Sequence, residues 1–102
     1  MKPNERVETF AGVAGTAYTL ELSSQYITNL ITFVGTTAGT MTIRAKESNN
    51  TSFERVENGS IDLSDERTIR ISGYQLKELE FTQTETQAFT VYVTQSDPIE
   101  IT

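Results

Sequence analysis

The pattern that most constrains this chain runs from Gly39 to Gly73. Thr40-Met41-Thr42-Ile43-Arg44-Ala45 alternates polar and apolar side chains, and so does Thr68-Ile69-Arg70-Ile71-Ser72. A period of two puts successive side chains on opposite faces of a strand. Between these runs, Phe53-Glu54-Arg55-Val56 leads through Glu57-Asn58-Gly59-Ser60 into Ile61-Asp62-Leu63. Asn-Gly suits the two positive φ angles of a type I′ turn, so a hairpin turn is expected at Asn58-Gly59. No stretch holds the 3.6-residue apolar period of a helix. Thr is the most abundant residue, β-branched and polar, and fits the solvent side of a strand.

The rest of the chain is built the same way. Tyr18, Leu20 and Leu22 share one face, as do Leu79 with Phe81, and Phe89 with Val91 and Val93; Tyr92 falls on the opposite face. The dense segment Tyr26 to Val34 slips phase near Asn29-Leu30, which implies a bulge or a central strand with two apolar sides. About seven to eight short strands, spaced roughly 8–12 residues apart, predict an all-β fold. A single small, mostly antiparallel β-sandwich is expected, of jelly-roll or Ig-like form, or a small barrel. The 102 residues suffice for one domain, 1–102. Residues 1–10 read either as a short first edge strand with a frayed end or as an extended N-terminal arm, and 97–102, after Asp97-Pro98 stops the last strand, as a short tail.

An open sandwich must guard or use its edges. Val7 to Phe10 and Ile99 to Ile101 carry the fewest guarding charges. Together with outward Tyr92 they make Val7, Phe10, Tyr92, Ile99 and Ile101 the candidate partner contacts. Deleting residues 1–10 should then remove a contact and leave the domain folded.

Composition closes off most chemistry. The net charge of −6, with basic residues scattered among acids, opposes binding to nucleic acid phosphates or an anionic membrane. No apolar run approaches the roughly 20 residues of a membrane-spanning helix. With no His and no Cys, the commonest general base, zinc ligands and disulfides are all missing. Glu78 and Glu80 share a strand face, but no apolar neighbour raises a pKa and no Trp is available to stack a sugar, so a solvated face outweighs a glycosidase pair. Asp62, Asp65 and Glu66 miss the EF-hand spacing and read as a self-capping turn rather than a calcium site. The glycines flank loops without a Walker or dinucleotide pattern. No enzyme activity, metal or cofactor is expected. Met1-Lys2-Pro3-Asn4-Glu5 is polar and leads into no apolar stretch, so export through a Sec signal is not expected, and the three Asn-x-Ser/Thr sequons carry no meaning.

The run Gly39 to Ala45, the segment Phe53 to Leu63, Thr68 to Gly73, Leu79 to Thr82 and Phe89 to Gln95 together resemble small β-rich virion proteins of tailed bacteriophages. In that group a Gly-Thr-x-Thr-x strand, an Asn/Asp-Gly hairpin entering Ile/Phe-Asp-Leu, and a closing Phe-x-Val-x-Val-x-Gln strand recur in this order. The likeness spans about residues 30–96 and is one of strand and turn style. It implies a capsid decoration, or cement, protein on the outside of a phage head, made in the host cytoplasm and found in the virion. The partner would be the major capsid protein or another virion protein, and the protein itself a dimer or trimer. The alternative is a tail-fibre or baseplate module that binds a host receptor or glycan through Lys46 to Thr51, Gln83 to Gln87 and Tyr74.

Overall fold

The computed structural model describes residues 4–49 and 51–98. Eight strands follow one another: β1 (Asn4–Phe10), β2 (Tyr18–Glu21), β3 (Tyr26–Val34), β4 (Thr40–Glu47), β5 (Glu54–Asp62), β6 (Thr68–Ser72), β7 (Leu76–Gln83) and β8 (Phe89–Pro98). They form two four-stranded antiparallel sheets, β1-β8-β3-β6 and β2-β7-β4-β5. β1 pairs with β8, β2 with β7, β3 with β6 and β4 with β5, so the first half of the chain folds back on the second as one long hairpin. Rolling that hairpin brings β8 beside β3 and β7 beside β4. The result is the jelly-roll form of β-sandwich, which strand order separates from the Ig-like and barrel alternatives.

The alternation read from the sequence sets the inner faces. Ile31 and Phe33 of β3, Met41 and Ile43 of β4, Leu79 and Phe81 of β7, and Phe89, Val91 and Val93 of β8 are all buried between the sheets. The rings of Phe33, Phe81 and Phe89 meet edge to face, with centroids 5.3 to 6.4 Å apart. Such pairs add about 0.5–1.5 kcal/mol each beyond the area they bury. Two glutamines tie off the layers at opposite ends. Gln95 accepts from Asn4 Nδ2 at 2.7 Å and the Ser23 amide at 3.0 Å, and donates to Ser23 O and Asn29 Oδ1, both at 2.9 Å. Gln83 donates to Gly12 O and Gln87 O, both at 2.7 Å.

Two sequence expectations change and two open alternatives are decided. Asn58-Gly59 makes no hairpin turn; it lies within β5. Between the pairs Thr42↔Ser60 and Arg44↔Arg55, β4 advances two residues and β5 five. The Gly therefore marks a bulge in an edge strand, the other local use of Gly in a strand pattern. Second, of the strand and arm readings of residues 1–10 the strand holds: β1 follows β8 from Asn4↔Gln95 to Phe10↔Phe89. Third, β3 keeps an unbroken register with β6 and β8 from Thr28 to Thr32, so its phase slip reflects a central strand that is apolar on both sides, not a bulge. Fourth, β8 runs through Asp97 to Pro98, with Asp97 at φ 57 and its carboxylate accepting from Thr28 Oγ1 at 2.6 Å. Residues 99–102 lie outside the described residues.

At the end of β5, Asp62 Oδ1 accepts from the Ser64 hydroxyl at 2.7 Å and the Ser64 amide at 3.0 Å. The Ser64 hydroxyl, then its amide, lower the carboxyl below its usual 3.8. Because the folded value is depressed, the ionised form favours folding. That stabilisation is present above the unfolded value and is lost as pH falls through the folded one. Urea denaturation of the parent and of Asp62→Ala should therefore differ near neutral pH and draw together as pH drops below about 4. A gap that stays constant down to pH 2 or so would contradict this.

Candidate interaction face

Each sheet has one face turned to solvent, and the two faces differ. On the β2-β7-β4-β5 sheet, register lines up Thr19, Glu80 and Arg44 in one row and Glu21, Glu78 and Lys46 in the next. Lys46 Nζ reaches Glu78 Oε1 at 3.3 Å and stands 4.4 Å from the centre of the Phe53 ring. Glu78 thus pairs with Lys46 across the strands, and Glu80 lies in register with Arg44, a charged row of the kind that stabilises a sheet face. No group of three or more His, Cys, Asp or Glu comes together as a metal site among the described residues.

The outer face of the β1-β8-β3-β6 sheet carries few charges. One row reads Thr9, Thr90, Val34; the next Val7, Tyr92, Thr32, Thr68; the next Glu5, Thr94, Leu30, Arg70. Val7, Leu30, Val34 and Tyr92 are 54, 43, 50 and 45% exposed and lie on the adjoining strands β1, β8 and β3. Four large apolar side chains on adjoining strands make a patch rather than scattered single exposures. The intervening threonines turn their hydroxyls to each other. Thr9 and Thr90 share a hydrogen bond at 2.9 Å, and Thr32 and Thr68 one at 3.3 Å. Those hydroxyls already have partners, so covering the face leaves fewer polar groups stranded.

Edges are closed to further strands. β2 has four residues and β6 five, β5 is bulged, and β1 places exposed Arg6 and Glu8 on its inward side, opposite Val93 and Val91. Short strands, bulges and inward charges are the devices that block edge-to-edge pairing. The expectation that Val7 to Phe10 is a poorly guarded edge is corrected: strand period puts Arg6 and Glu8 where an added strand would have to pack.

Of the candidate contacts, the fold brings Val7 and Tyr92 together as directly opposed residues on this face. Phe10 goes inward instead. Its ring lies 5.2 Å from that of Tyr18, 5.4 Å from Phe89 and 6.4 Å from Phe81, so the core holds it. Ile99 and Ile101 lie outside the described residues. Leu30 and Val34 complete the patch and were not among the sequence candidates. Their signal was the phase slip of β3, since apolar residues at both parities in a central strand must leave some outside. The loops assigned to a glycan site do not converge. Gln83 opposes Met41 near the start of β4, whereas Lys46 lies at its far end, and Gln83 is buried.

No family model matches the chain, and no curated protein matches it in sequence. Solved structures share its fold. The SPBc2 prophage-derived protein YomS superposes with a TM-score of 0.58 at 12% identity, over 94% of this chain and 96% of that one. A subunit of the disulfide-linked pili that form Bacillus endospore appendages gives 0.52 at 13% identity, over 92% of this chain and 86% of that one. Pseudomonas aeruginosa AlgX gives 0.52 at 10% identity, over 89% of this chain but 26% of that one. At these identities the likeness is one of fold.

Proposed function

We propose that this protein is a non-enzymatic structural component of a phage particle, bound to the outside of the head as a decoration protein. The observation that carries the reading is the apolar, threonine-lined face of the β1-β8-β3-β6 sheet on a domain whose edges are all blocked. Such a domain is suited to being covered by another protein and is ill suited to growing by strand addition. Two structural neighbours support it at the level of fold: a prophage-derived protein and a pilus subunit, each matched over most of its own length. The acidic net charge of −6 suits an exterior site better than contact with packaged DNA. A protein that binds the assembled lattice more tightly than its free subunits stabilises the shell by mass action.

Quantitative mass spectrometry of purified particles from the source tests this. A copy number comparable to the shell subunit is expected. A few copies per particle would move the protein to the tail, where a receptor- or glycan-binding role would replace decoration. Absence from the particle would overturn the virion reading altogether.

A further inference from the structure

The face described above is complementary to itself. Its outward residues lie on four columns, β1, β8, β3 and β6, with β8 and β3 in the middle. Consider a second copy laid on this face by a two-fold axis that runs parallel to the strands, between β8 and β3. The operation keeps each row and reverses the column order, so β1 of one copy lies over β6 of the other and β8 over β3. The rows then match across the interface. Tyr92 meets Thr32, Leu30 meets Thr94, Val34 meets Thr90 and Val7 meets Thr68, so each large apolar side chain faces a threonine. In the outer columns Glu5 meets Arg70, twice, because the axis generates the pair on both sides.

Glu5 and Arg70 are exposed and sit in one row at opposite edges, and neither has an ion-pair partner among the described residues. The edge strands are about 14 Å apart at the usual strand spacing, and face-packed sheets stand about 10 Å apart, a gap that an arginine and a glutamate span together. Large against small side chains is also how sandwich faces interdigitate. An isologous contact of this kind closes on itself and gives a dimer rather than a filament. We infer that the outer face of the β1-β8-β3-β6 sheet is a two-fold dimer interface, with apolar–threonine contacts at its centre and a Glu5–Arg70 ion pair at each edge. The inference uses the face that carries the virion reading: in the dimer the second copy covers that face and contact with a shell falls to the remaining surface of the dimer, so sedimentation tests the one and particle composition the other.

Sedimentation of the full-length protein tests it. The parent should be a dimer, and Tyr92→Glu a folded monomer with an unchanged circular dichroism spectrum. Glu5→Arg and Arg70→Glu should each weaken the dimer roughly tenfold or more, because each sets two like-charged pairs across the contact. The double variant should recover the dimer. Mixing the two single variants should also produce heterodimers, since arginine at position 5 and Arg70 of one variant then face glutamate at position 70 and Glu5 of the other. A monomeric parent, a trimer, or a dimer indifferent to charge reversal would overturn the proposal. So would single variants that fail to recover on mixing. Incorporation into particles by a monomeric parent would keep the virion role and reject the dimer.

Discussion

Deleting residues 1–10 is expected to unfold the domain or leave it aggregating, rather than to clip a free arm. β1 pairs with β8 through seven residues, and Phe10 packs against Tyr18, Phe81 and Phe89. Complete truncation of a core Phe costs about 3–5 kcal/mol, and Phe10, half-buried, accounts for about half of that, or about 2 kcal/mol. Removing Asn4 takes one hydrogen bond from the buried Gln95 carbonyl. Stripping β1 also turns β8, a strand with a long apolar inner face, into an unguarded edge. Set against a net stability of about 5–15 kcal/mol for a domain of this size, these losses are decisive. Urea denaturation followed by circular dichroism would read the outcome. A cooperative transition at the parent's midpoint would show that β1 is dispensable.

A comparable loss is expected from one methyl group. Gly12 has φ +71, and a Cβ there would stand 1.8 Å from Gln87 O and 2.6 Å from Gln83 Nε2. Neither neighbour is free to move. The Gln87 amide donates to Gly12 O at 3.0 Å, and Gln83 Nε2 holds both Gly12 O and Gln87 O. The left-handed backbone costs an alanine about 1–2 kcal/mol, and prising the clasp apart leaves the buried Gln83 amide short of partners at about 1–3 kcal/mol. Gly12→Ala should therefore lose roughly 3–4 kcal/mol, a fall in Tm of about 15–25 °C. Gly15 is the control, at φ +77 with nothing within 4 Å of a Cβ. Gly15→Ala should show only the backbone cost of about 1–2 kcal/mol. Equal shifts for the two variants would mean that the clasp contributes nothing.

The interaction face was partly visible beforehand. Tyr92 could be placed outward because it breaks parity with Phe89, Val91 and Val93 on a single strand. Val7 could be singled out as apolar among charges. Leu30 and Val34 were hidden because β3 is apolar at both parities, and period alone does not say which parity faces the core. Phe10 was misjudged for the converse reason: near a terminus an aromatic at the end of a strand looks like a free contact until the strand it pairs with is known. Asn58-Gly59 shows the same limit. Asn-Gly favours positive φ in a two-residue hairpin, but β4 pairs with β5 on both sides of it and draws the segment into one bulged strand.

What the sequence determined by itself is local. Alternation set the strands and the side of each that is buried, glycine and polar clusters set most of the turns, and the lack of His, Cys and Trp narrowed the chemistry. All of these depend on neighbours within a few residues along the chain. Which strands lie side by side was decided only by the tertiary structure, because pairs such as β1 with β8 join residues some ninety positions apart, and no local period encodes that closure. The face inherits this non-locality. Val7, Leu30, Val34 and Tyr92 become one surface, and Glu5 and Arg70 its opposite edges, only after the chain has folded back on itself and been rolled into two sheets.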